Sequence, residues 1–125
     1  MILRDAISRG LLRVARWRWS HILLGWVMSN VSSAIPVRRL HETENLIAFQ
    51  HPRPNHTVHI LLVPKRPFAN LMAVPLEASG FLRDLLEAVQ LLVHQYDLED
   101  KGYRLIVNGG QYQEVPHLHV HLISD

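Results

Sequence analysis

The sequence predicts an α+β fold, an antiparallel sheet with helices packed on it, and three observations predict it. The run Val58-His59-Ile60-Leu61-Leu62-Val63 is rich in β-branched and aliphatic residues and is closed by Pro64, as suits a buried central strand. Between Pro75 and Tyr96, apolar residues at 82, 85, 86, 89, 92, 93 and 96 trace one face of a helix, with Glu77, Arg83, Asp84, Glu87 and Gln90 elsewhere. From Val115 to Ile123, histidines alternate with aliphatic residues at the period of a strand. At 125 residues and 48% apolar, the chain has the length of one domain and enough apolar side chains for one continuous core.

Taken in order, the elements begin with Leu3, Ile7, Leu11 and Val14 at helical spacing, with Arg4, Asp5, Ser8, Arg9 and Arg13 on the other face. This amphipathic helix occupies an extension over residues 1–25, ahead of a domain over residues 26–125. Packing on the domain or a partner is preferred for it; contact with an anionic membrane surface through residues 1–20 is the lesser alternative, which Trp17, Trp19 and Trp26 suit. The apolar stretch Ile22 to Met28, before Val31-Ser32-Ser33-Ala34, has the look of a cleavable leader, but its basic region is long and Gly25 interrupts it. No apolar run approaches a membrane span. Val37 to His41 and Leu46 to Gln50, joined by a polar turn, predict a hairpin, and Pro52, Pro54 and Asn55 a loop. After the central strand and the main helix come a strand from Tyr103 to Val107, a turn at Asn108-Gly109-Gly110 and the final strand from Val115 to Ile123. The order strand, strand, strand, helix, strand, strand is that of an α+β domain.

Charge narrows the partners. The formal net charge is +2, and the excess sits early, in arginines 4, 9, 13, 16, 18, 38 and 39, whereas the chain from Thr43 onward is close to neutral. A nucleic-acid binder spreads a basic stripe across its domain, so phosphate-sized ligands fit better than long polyanions. The absence of cysteine excludes disulfides, thiolate zinc sites and a cysteine nucleophile.

The chemistry is carried by His117, His119 and His121, which alternate with Leu118, Val120 and Leu122 so that the imidazoles share one face of a strand. A face exposed only for solubility more often carries lysine, threonine or glutamate. Two functional readings stand beside that bland one. Zinc could be held by these nitrogens with His51, His56 or His59, although Glu114 is the only nearby carboxylate to serve it. Alternatively one imidazole is a nucleophile, oriented by the others, which offset phosphoryl charge.

The segments Tyr103-Arg-Leu-Ile-Val-Asn-Gly-Gly and Val115-Pro-His-Leu-His-Val-His-Leu-Ile123 resemble the signature of the histidine triad (HIT) family. Val58 to Lys65, with its proline-lysine end, resembles that family's histidine-bearing strand; Ala48-Phe49 and Ile35-Pro36 lie upstream at the family's spacing. The likeness spans roughly residues 26 to 125 and is nearest to the nucleoside phosphoramidase branch. It implies a five-stranded antiparallel sheet, usually doubled in a homodimer. It also implies a hydrolase or transferase, cytoplasmic and needing neither metal nor cofactor, that cleaves purine nucleoside 5′-phosphoramidates or related monophosphate derivatives. His119 would be the nucleophile, with His117, His121 and His59 completing the set; Asn108, Gln113 and Phe49 match the substrate-binding positions. Gln111 competes with Gln113, whose distance from the triad fits better. Where the family commonly has an acid for the ribose hydroxyls this chain has His51, and where it has serine or threonine near the leaving group this chain has Glu114. These departures imply an altered substrate, a weak hydrolase or a nucleotide-binding module with little turnover; the zinc hydrolase suggested by the histidine spacing is the further alternative.

Overall fold

The structure is a computed structural model, described here for residues 38–125. The helix expected in the first 25 residues, and Val37 at the start of the hairpin, lie outside the described residues. Five strands, β1 (Arg39–Glu42), β2 (Leu46–Gln50), β3 (Val58–Pro64), β4 (Arg104–Ile106) and β5 (Val120–Ser124), form one sheet in the order β1-β2-β3-β5-β4. Every neighbouring pair is antiparallel, as the sequence predicts.

The sheet buries both faces, which is why β3 reads as a nearly continuous apolar run instead of an alternation. Leu46, Ala48, Ile60, Leu62, Val120 and Leu122 point to the side covered by helix α1 (Ser79–Gln95), where they meet Phe81, Ala88, Leu92 and Val93. Ile47, Phe49, Leu61 and Val63 point to the other side and join Val115 in a second apolar cluster. The histidines of β3 and β5 emerge on this second side, because His59 is two residues from Leu61 and His121 is the register partner of Leu61.

The α1 stripe is centred on Phe81, Leu85, Ala88 and Leu92, with spacings of four, three and four residues. Leu82 and Leu86, assigned to the core face by the sequence pattern, are exposed instead. Each follows a stripe residue and is turned about 100° away from it. Asn45 ties the β1–β2 turn to the helix through a 2.9 Å hydrogen bond to Asp84. Gly80 permits that approach, since a Cβ there would come within 3.1 Å of the Asn45 amide nitrogen. A short helix α2 (Leu98–Lys101), unforeseen in the sequence, ends at Gly102, whose φ of +92° favours glycine.

The last strand is shorter than the sequence predicts: the ladder begins at Val120, not Val115. Continuing the register from Leu62 and Val120 would set Leu118 against Pro64, which has no N–H to donate. Leu118 donates its own N–H to Phe68 O at 2.8 Å. His117 and His119 therefore sit on an extended approach to the sheet, beyond the end of the ladder. Lys65, next to that proline, forms an ion pair of 2.8 Å with Glu42, which also binds Arg39 at 2.7 Å, so the proline-lysine end is anchored to β1. No described helix is long and apolar enough to cross a membrane.

Candidate active site

Register brings the histidines together. One step beyond β2, His51 donates its N–H to His59 O at 2.8 Å, and the two rings stack with centroids 4.3 Å apart. His121, diagonal to His59 across β3 and β5, has its ring 5.2 Å from that of His59 and 5.0 Å from that of His119. The row His51, His59, His121, His119 lines a cavity of about 400 Å³, together with Arg53, Asn55, Leu61, Asn108, Tyr112, Glu114 and Val115.

Hydrogen-bond partners fix which nitrogen of each ring carries its proton. Asn55 N–H donates to His59 Nδ1 at 3.2 Å, so the proton of neutral His59 is on Nε2. That Nε2–H donates to His121 Nδ1 at 3.0 Å, which puts the His121 proton on Nε2. Arg53 N–H donates to His51 Nδ1 at 2.9 Å, with the same result for His51. His119 is the reverse case: its Nδ1–H donates to the carbonyl of His117 at 2.8 Å, and the lone pair is left on Nε2. Of the four cavity-lining imidazoles, His119 alone has a lone pair that no described residue engages.

The surroundings disfavour the charged form of His51, His59 and His121. Burial, reinforced by the neighbouring imidazoles, pushes His59 and His121 down to about 4. Burial likewise lowers His51 and His117. In the unfolded chain such histidines titrate near 6.5, so between about pH 4 and 6.5 the unfolded chain binds more protons than the folded one. Their contribution to stability is complete above the unfolded value and is lost as pH falls through the folded one. Thermal melts from pH 7 to pH 4 are expected to show the wild type losing more Tm than His121→Asn; parallel losses would rule out this pair as the source.

The sequence-predicted residues divide. His119, His121, His59, His51, Asn108 and Glu114 line the cavity together. His117 does not: its ring is buried, with Nε2–H 3.3 Å from Pro64 O, and what it offers His119 is its backbone carbonyl. Phe49 is buried in the second apolar cluster as the register partner of Leu61, and Leu61 is the residue that faces the cavity. Gln113 is turned away to brace loops, its Nε2 donating to Ala69 O at 2.7 Å and Val115 O at 2.9 Å. Removing this brace in Gln113→Ala is expected to cost about 1–2 kcal/mol in chemical denaturation; a loss below about 0.5 kcal/mol would mean that water replaces it.

Arg53, Asn55 and Tyr112 are cavity residues that sequence reasoning missed. The closeness of Arg53 and Asn55 to His51 and His59 in the chain was the available signal. The loop that carries them is pinned at its far end by His56, whose Nδ1 lies 3.0 and 3.1 Å from the two Asp125 carboxylate oxygens. Among the described residues no group of three or more histidine, aspartate or glutamate side chains is arranged to hold a metal ion. The lone pairs of His51, His59 and His121 accept hydrogen bonds instead of converging.

Fold and site define an antiparallel α+β protein with a row of imidazoles at a small cavity, one of which, His119, keeps a lone pair that no described residue engages. Residues 32–125 match the HIT domain, and the chain belongs to the HIT family. It is 38% identical over 92 residues to an uncharacterised HIT-like protein of Synechococcus elongatus, covering 72% of this chain and 80% of that one. Its fold is that of a HIT family hydrolase from Clostridium thermocellum, with a TM-score of 0.68, 32% identity and coverage of 76% and 84% of the two chains. It is also similar to a histidine triad nucleotide-binding protein from Candida albicans, with a TM-score of 0.65, 30% identity and coverage of 76% and 71%.

Proposed function

We propose that this protein hydrolyses nucleoside 5′-phosphoramidates, or related purine nucleoside monophosphate derivatives, through a nucleotidyl-histidine at His119. The observation that carries this reading is the lone pair on His119 Nε2, the only one among the cavity-lining imidazoles that no described residue engages, at a cavity whose remaining imidazoles are held as N–H donors. Nε2 attacks the phosphorus, the P–N bonding pair leaves with the amine, and the amine takes up a proton. The His117 carbonyl stabilises the positive charge that develops on the His119 ring, and the Nε2–H groups of His121 and His51 offset charge on the phosphoryl and sugar oxygens. Water then attacks the phosphorus, the P–Nε2 pair returns to the imidazole, and the nucleoside monophosphate is released after net consumption of one water.

The partner in this proposal is a second copy of the chain, in a cytoplasmic homodimer. It is supported by β4, which among the described strands pairs only with β5 and exposes Leu105 on its own length and Tyr103 and Val107 beside it. The decisive experiment incubates the purified protein with an adenosine phosphoramidate, with and without chelator, and looks by mass spectrometry under non-acidic quench for adenylate on His119. Chelator-insensitive turnover with the adduct supports the hydrolase. Binding of AMP with neither turnover nor adduct would replace it by a nucleotide-binding module, and loss of turnover with chelator by a zinc hydrolase.

A further inference from the structure

The cavity around His119 is built to receive an anion, yet it contains a carboxylate. Arg53 brings a guanidinium, Asn55 and Asn108 bring amides, and His51 and His121 bring fixed Nε2–H donors. Among the described residues lining it, Glu114 is the only acid. Its carboxylate makes no hydrogen bond or ion pair with any described residue, whereas the acids in the described ion pairs are Glu42 and Asp125. Nor is Glu114 on a loose segment. The Gln113 side chain before it is tied to Ala69 O and Val115 O, and Val115 after it is buried in the second apolar cluster.

Glu114 is exposed, and its carboxylate in the lining of the cavity repels a phosphoryl group bound there, a repulsion that salt weakens. Arg53 brings one positive charge to the same cavity, and the repulsion is offset further when the substrate itself brings a second to Glu114. In the proposed reaction the nucleoside side of the phosphorus is neutral or polar, so the group able to bring that charge is the amine that leaves.

We propose that Glu114 makes this site selective for nucleoside phosphoramidates whose leaving amine carries a second, standing positive charge, such as a protonated diamine. This rests on the phosphoramidase reading above. In the substrate R–O–P(O₂⁻)–NH–R′, the P–N bond breaks and the His119 Nε2–P bond forms, and the nitrogen keeps the bonding pair and gains a proton. R′ carries its ammonium unchanged throughout and holds it against the Glu114 carboxylate. A hydrogen bond to a charged partner of this kind changes kcat/KM by about 10-fold.

The test compares three adenosine 5′-phosphoramidates of matched length, made from 1,4-diaminobutane, 4-aminobutan-1-ol and 4-aminobutanoate, in the wild type and in Glu114→Gln. The ammonium substrate is expected to exceed the alcohol about 10-fold in kcat/KM in the wild type, with the carboxylate substrate lowest. In Glu114→Gln both gaps are expected to close to about 2-fold or less, and added salt to narrow them in the wild type only. The readout is a ratio within each protein, so a general change of activity in the variant does not obscure it. Equal use of ammonium and alcohol by the wild type, or a preference that survives in Glu114→Gln, overturns the proposal while leaving the phosphoramidase reading intact. No turnover of any of the three by the wild type overturns both.

Discussion

His119→Ala is expected to lower kcat/KM for an adenosine phosphoramidate by about 10⁴-fold or more, with no covalent nucleotidyl-protein detectable. The size of the effect follows from the proton inventory of the cavity. The lone pairs of His51, His59 and His121 already accept hydrogen bonds from Arg53 N–H, Asn55 N–H and His59 Nε2–H. No neighbouring imidazole can take over the attack without giving up such a bond, and water is left as the nucleophile. The donors that offset phosphoryl charge remain, so AMP affinity is expected to fall by no more than about 10-fold. The fold is expected to survive, because among the described residues the one side-chain hydrogen bond of His119 is to the carbonyl two residues before it in its own segment. Steady-state kinetics, AMP titration and a thermal melt on the same preparation separate these effects. Retention of more than about a tenth of wild-type kcat/KM would mean that another group is the nucleophile.

How much of this site was legible in advance depends on whether a residue's role is set by local period or by register. The alternation from His117 to His121 put all three imidazoles on one face; His119 and His121 do line the cavity together, and the His117 ring does not. The β3 run predicted its own strand to within a residue, since Val58, Ile60 and Leu62 fit one buried face and Leu61 and Val63 the other. The stop of β5 at Val120 was not legible. It depends on Pro64 facing Leu118, a fact of register between segments more than fifty residues apart. The same stop separates the roles within the triad, turning the His117 ring toward Pro64 O while its carbonyl orients His119. The backbone N–H groups of Arg53 and Asn55 that are aimed at His51 and His59 were not legible either, because side-chain type says nothing about them. Leu82 and Leu86 fit the helical period as well as Phe81 and Leu85 do; only the position of the sheet decides which of the overlapping stripes is buried.

Phe49 illustrates the same distinction, and its removal is expected to have the second large effect. The family resemblance assigns it to the wall beside the base, but in the fold it is 1% exposed, packed with Ile47, Leu61, Val63 and Val115. Leu61 and Val115 line the cavity, so Phe49 is the backing that holds them in place. Phe49→Ala would leave a void beneath two strands and is expected to cost about 3–5 kcal/mol, against a total of about 5–15 kcal/mol for a domain. That corresponds to a fall in Tm of about 10 °C or more. Phe49→Leu retains most of the volume and is the variant for binding measurements. If Phe49 acts as backing, Phe49→Leu lowers Tm by a few degrees and leaves AMP affinity within about 3-fold of wild type. If the ring itself touches the base, the order reverses: affinity falls 10-fold or more, about the loss of a stacked aromatic, while Tm changes little. A buried position that is register partner to the cavity-lining Leu61 favours the first result, in which the shape of the base pocket is set from behind by the second apolar cluster.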